Sequence, residues 1–89
     1  MKAEILIIDD NSDIRIILNE LIQDAGYKTR LAANYNQALA EIDKKLPDVA
    51  IIDVKLDKGD NDGIELLNHI KKKDKNVPVI IISGHANIE

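Results

Sequence analysis

The sequence contains no cysteine, which excludes a disulfide framework and a thiolate zinc site. Phenylalanine and tryptophan are absent as well, and aromatics reach only 2%. The core must therefore be made of Ile, Leu, Val and Ala. There is no excess of basic charge: 12 Lys and Arg against 16 Asp and Glu leave a net charge of −4. That balance argues against a nucleic-acid-binding surface across the domain. No apolar run is long enough to span a membrane. The opening Met-Lys-Ala-Glu leads through a short apolar run into Asp9-Asp10, which is not a signal peptide. A soluble, cytoplasmic domain is the expectation. With 89 residues there is room for one small domain, 45% hydrophobic as is ordinary for a globular chain.

What is present alternates between two periods. Residues 4 to 8 form a short apolar run, read as a buried strand. Ile14, Ile17, Leu18, Leu21, Ile22 and Ala25 then recur at helical spacing and are expected to face inward. Asn11 or Ser12 can cap that helix, and Gly26 stops it. Residues 28 to 32 read as a weaker strand. Asn34 or Asn36 opens a helix carrying Ala38, Leu39, Ile42 and Leu46, and Pro47 closes it. Residues 49 to 54 are a third strand. A polar turn follows, then a helix from about Ile64 with Leu66, Leu67 and Ile70 inward and Lys71, Lys72 and Lys73 outward. Residues 78 to 83 are a fourth strand. Strand and helix in strict alternation predict an α/β fold, a doubly wound parallel sheet with helices on both faces.

In such sheets, sites form beyond the carboxyl ends of the strands. Strand one runs into Asp9 and Asp10, strand three into Asp53, and strand four into Ser83. With strands one and three as neighbours, three carboxylates meet, and their mutual repulsion raises at least one pKa. A divalent cation relieves this. Magnesium suits carboxylate oxygens and keeps room for a phosphate oxygen, whereas calcium prefers more ligands. An aspartate beside magnesium can itself attack a phosphoryl group.

The stretches Ile-Leu-Ile-Ile-Asp-Asp-Asn, Val-Ala-Ile-Ile-Asp-Val-Lys-Leu, Asp-Gly-Ile-Glu-Leu-Leu and Val-Pro-Val-Ile-Ile-Ile-Ser-Gly-His together resemble the receiver domain of two-component response regulators. The resemblance covers the entire chain and implies the flavodoxin-like strand order 2-1-3-4-5. It implies that Asp53 accepts a phosphoryl group from a sensor histidine kinase. It also implies that Asp9 and Asp10 hold Mg2+ with Asp53, one of them through water, and that the backbone carbonyl of Lys55 is a further metal ligand. Ser83 would be the switch hydroxyl, and Gly84 the small residue that admits the phosphoryl group. The output would be a conformational change, controlling transcription.

Two departures stand out. Leu56 is followed by Asp57 where the family has proline, and the loop to Gly63 is about two residues longer. That loop, with Ser-Gly-His-Ala-Asn-Ile-Glu after strand four, resembles the nitrogen-regulation, NtrX-like branch. The family's fourth helix, fifth strand and fifth helix, with their lysine, have no counterpart in residues 1–89. Strand four is then expected to be a sheet edge, apolar on both faces, through which the chain forms a homodimer.

Plainer readings stand beside these. Ser83-Gly84 is equally a turn pair. His69 is expected to be partly exposed, and His85 is a loop histidine with no role. Lys71 to Lys73 read as a solvated helix face. Asp57, Asp60 and Asp62 suggest a calcium loop but lack its terminal glutamate, so they read as turn residues. A magnesium-dependent phosphohydrolase with an aspartate nucleophile is the rival enzyme class, but its acid/base position is filled by Lys55. A non-phosphorylated interaction module is the other rival.

Overall fold

A computed structural model describes residues 3–53 and 62–82. The sequence-based expectations for Lys55, Asp57, Asp60, Ser83, Gly84 and His85 lie outside the described residues. The elements run β1 (Glu4–Ile8), α1 (Ser12–Asp24), β2 (Lys28–Ala32), α2 (Tyr35–Lys44), β3 (Val49–Asp53), α3 (Asp62–Lys73) and β4 (Val79–Ile82). The four strands form one parallel sheet in the order β2-β1-β3-β4. This is the expected doubly wound α/β arrangement.

Parallel central strands are buried on both faces, and the sequence of β1 reflects this. Leu6, Ile7 and Ile8 are fully buried and Ile5 nearly so. Alternation along the strands sorts the side chains into two sets. Leu6, Ile8, Ala32, Ala50 and Ile52 join Ala38 and Ile42 of α2, Leu66 and Ile70 of α3, and Val77 in a single core. Burying one such aliphatic side chain is worth about 1.5–3 kcal/mol, so this cluster carries most of the fold's stability.

Helix starts are fixed by asparagines. The Asn11 side chain accepts the N–H groups of Asp13 and Ile14, at 2.9 and 3.2 Å, so α1 begins at Ser12. Asn34, rather than Asn36, caps α2 by accepting the Gln37 N–H at 2.8 Å. After Ala25 the chain turns through Gly26 at a φ of 99°, a left-handed conformation that disfavours any side chain even though open space surrounds the Cα.

Three expectations are corrected here. Helix α1 contains no fully buried residue, and Ile17 and Leu21 are more than half exposed instead of inward. The part-buried face of α1 is instead made by Ile14, Leu18 and Ile22. Gln23 and Asn19 both hydrogen-bond the Thr29 hydroxyl, which ties α1 over the β2 side of the sheet. Lys71 is not simply solvated: its ammonium donates to the carbonyls of Val77 and Lys75 and pins the turn between α3 and β4. Asp62 is not a turn residue but the first residue of α3, and it is buried. His69 is partly exposed as expected, and it bridges to Asp43 of α2 at 2.9 Å.

At the opposite end of the sheet from the strand tips, Arg30 joins three elements. Its guanidinium bonds the Glu41 carbonyl at 3.0 Å, the Glu41 carboxylate at 2.9 Å and the Lys45 carbonyl at 2.6 Å. It also forms an ion pair with Glu4 at 3.2 Å, without hydrogen-bond alignment.

Candidate functional site

In the β1–β3 ladder Ile8 stands opposite Ile52, so Asp9, just past β1, and Asp53, the last residue of β3, come next at the same level. Both are fully buried. Asp10, one residue further on, is exposed. One carboxylate oxygen from each of Asp9, Asp10 and Asp53 lies within 4.8 Å of the others. The structure thus brings together the three acids singled out from the sequence.

The environment of Asp9 is well defined. Its N–H donates to the Ala32 carbonyl at 3.1 Å, continuing the bonding to β2 beyond the strand's end. Its Oδ1 accepts the Asn11 N–H at 2.9 Å. Its Oδ2 is buried, and among the described residues no N–H or O–H group donates to it. Burial pushes the Asp9 carboxyl above the usual carboxylate range. The Asn11 N–H opposes this, while the neighbouring charges of Asp53 and Asp10, and a hydrogen bond shared with the Asp53 carboxyl, reinforce it. Burial thus outweighs the charge repulsion expected from the sequence.

A buried carboxylate oxygen without a donor is costly unless a cation or proton satisfies it. Octahedral magnesium, with oxygens at about 2.0–2.1 Å, places its ligands about 3–4 Å apart. A spread of up to 4.8 Å is wider than this, so the three acids would hold a divalent cation by drawing in or through a bridging water. The donor set is all oxygen, which suits a hard cation.

Two groups that the sequence did not single out make contacts in the first turns of α1 and α2. Arg15 of α1 donates from Nη1 to the Asp9 carbonyl at 2.8 Å. Tyr35, at the start of α2, donates its hydroxyl to Glu65 at 3.1 Å, and burial and that glutamate hold the phenol above its ordinary range. The only advance signal for Arg15 was its place four residues beyond Asn11, one turn into the helix that leaves the site.

Buried acids at the tips of the two central strands of a parallel sheet are the arrangement of a phosphoryl-accepting signalling module. Comparison with known families agrees: residues 5–89 match the response regulator receiver domain, and the chain belongs to that family. Among individual proteins, it is similar to the nitrogen assimilation regulatory protein NtrX of Azorhizobium caulinodans. The identity is 43% over 89 residues, covering 100% of this chain and 20% of that protein. Sporulation initiation phosphotransferase F of Bacillus subtilis is 42% identical over 89 residues, 100% of this chain and 70% of that protein. NtrX from Brucella abortus superposes with a TM-score of 0.86 at 41% identity, over 99% of this chain and 20% of that one. A CheY-like receiver protein from Methanospirillum hungatei superposes with a TM-score of 0.87 at 28% identity, over 99% and 69%. The chain thus spans about a fifth of the NtrX proteins it matches. The NtrX-like resemblance read from the sequence is borne out. No helix among the described residues is long and apolar enough to cross a membrane.

Proposed function

We propose that residues 1–89 act as the phosphoacceptor portion of a cytoplasmic response regulator, with Asp53 as the acceptor. The observation that carries this reading is the meeting of Asp9, Asp10 and Asp53 within 4.8 Å at adjacent strand ends. The phosphodonor is the phosphohistidine of a sensor kinase. A carboxylate oxygen of Asp53 forms the new bond to phosphorus as the bond from phosphorus to the imidazole nitrogen breaks, and the imidazole keeps the electron pair. Asp9, Asp10 and Asp53, with the Lys55 carbonyl that the family resemblance implies, would hold magnesium, which would supply positive charge for the phosphoryl oxygens.

The remaining chemistry belongs to the protein. The parallel ladder ends with Ile8 opposite Ile52, which puts Asp9 and Asp53 next along adjacent strands. Burial strips both acids of solvent, which strengthens their interaction with any cation. Ser83, the switch hydroxyl that the family resemblance implies, would donate to a phosphoryl oxygen. The outcome is a change of state passed to a transcriptional output, not product turnover, so the module is not an enzyme in its own right. This domain makes no direct contact with nucleic acid.

The 89-residue chain also self-associates, in this reading, through β4. That strand is the edge of the four-stranded sheet among the described residues, with Ile80 51% and Ile81 38% exposed.

The acceptor assignment is tested by incubating the chain with acetyl phosphate and magnesium and weighing it intact. One phosphoryl adduct is expected on the wild type and none on Asp53→Asn. An adduct of equal yield on Asp53→Asn overturns it.

A further inference from the structure

We propose that Arg15 is a positioning residue for the metal-binding acids, acting through the backbone of Asp9. The proposal rests on the magnesium reading of Asp9, Asp10 and Asp53.

A guanidinium near three carboxylates is expected to pair with one of them. Arg15 instead directs Nη1 to the Asp9 carbonyl, at 2.8 Å. Its charge is committed to the main chain, and among the described residues no cationic donor takes up the buried Asp9 Oδ2. A carboxylate-paired arginine would block the same oxygen.

The carbonyl it holds belongs to the peptide that joins Asp9 to Asp10, two of the three acids of the cluster. Rotation of that one peptide moves both acids at once. The Asp9 N–H is fixed to Ala32 on one side of the residue, and Arg15 fixes the carbonyl on the other. Asn11 then sets the Asp9 carboxylate itself through its own N–H. Arg15 is in turn anchored in α1, its N–H donating to the Asn11 carbonyl at 3.0 Å. Strand end, turn and first helical turn thus lock one another, and the long arginine side chain spans the gap that the turn leaves.

The test is a magnesium titration followed by backbone amide shifts, on the wild type, Arg15→Met, Arg15→Gln and Arg15→Lys, with a thermal melt of each. Outer residues that orient metal ligands typically contribute about 10–100-fold in affinity. Arg15→Met and Arg15→Gln are expected to lose about 10-fold at a temperature where both are fully folded. Arg15→Lys, which keeps a cationic donor, is expected to recover most of the loss. If Arg15→Met does not fold, Arg15→Gln and Arg15→Lys decide the matter between them. Wild-type affinity in a folded Arg15→Met or Arg15→Gln overturns the proposal while leaving the metal site standing. Equal loss in Arg15→Lys and Arg15→Gln also overturns it. No magnesium response in the wild type overturns the metal reading itself, and the proposal with it.

Discussion

Asp9 and Asp53 lie side by side at the ends of adjacent parallel strands, both fully buried, because Ile8 faces Ile52 in the ladder. Two buried carboxylates side by side oppose folding unless something neutralises them. Asp9→Asn keeps the shape and removes one charge. It is expected to stabilise the metal-free fold by about 1 kcal/mol, or roughly 4–8 °C in Tm for a domain of this size, while weakening magnesium binding. Paired melts without and with magnesium check both halves. A lower Tm for Asp9→Asn without metal would contradict the geometry.

Magnesium itself is expected to raise the melting temperature, since a ligand that binds only the native state stabilises it by RT ln(1 + [L]/Kd). At 100 times Kd that is about 2.7 kcal/mol. The same additions should leave Asp53→Asn nearly unmoved. An equal rise in both chains would place the cation elsewhere.

Arg30 anchors Glu4, Glu41 and the end of α2. Charge-assisted hydrogen bonds contribute about 1.5–3 kcal/mol, so Arg30→Met is expected to cost about 2–3 kcal/mol in urea unfolding at neutral pH. The Arg30 guanidinium holds Glu41 below the usual carboxylate range. A depressed carboxylate stabilises above its unfolded pKa and loses that contribution as pH falls through the folded value. The gap between wild type and Arg30→Met should therefore narrow in acid, below the ordinary glutamate range near 4.5. A gap that stays constant from pH 7 to pH 3 would assign the Arg30 contribution to its backbone-carbonyl bonds and packing, not to its carboxylate partners.

Ile80 lies on the edge strand and is 51% exposed. Ile80→Lys places a charge on that edge, a recognised block to strand pairing. Light scattering of the 89-residue chain is expected to give a dimer for the wild type and a monomer for Ile80→Lys. A wild-type monomer across the micromolar range removes the self-association proposal without touching the acidic site.

Much of this architecture is written in local sequence. Ile5 to Ile8 running into Asp9-Asp10, and Val49 to Ile52 running into Asp53, announce buried strands with acids at their tips. The parallel register then needs no further information to join the acids. Periodicity failed where tertiary docking decided exposure. Ile17 and Leu21 fit a helical stripe, yet α1 is held toward β2 by Asn19 and Gln23 and leaves them half open. Long basic side chains were also illegible. Arg15 and Lys71 look like solvated helix positions until the fold brings a backbone carbonyl within their reach. Asp62 sits in a run of turn-forming residues, and only the start of α3 places it in a buried setting.

The central claim is that Asp53 takes the phosphoryl group. Borohydride reduces an aspartyl phosphate to homoserine, which marks the acceptor permanently. After reaction with acetyl phosphate and magnesium, reduction and peptide mapping by tandem mass spectrometry, homoserine is expected at position 53 and at neither position 9 nor position 10. Homoserine at either of those positions, or a phosphoryl group retained on a hydroxyl elsewhere in the chain, would contradict the account.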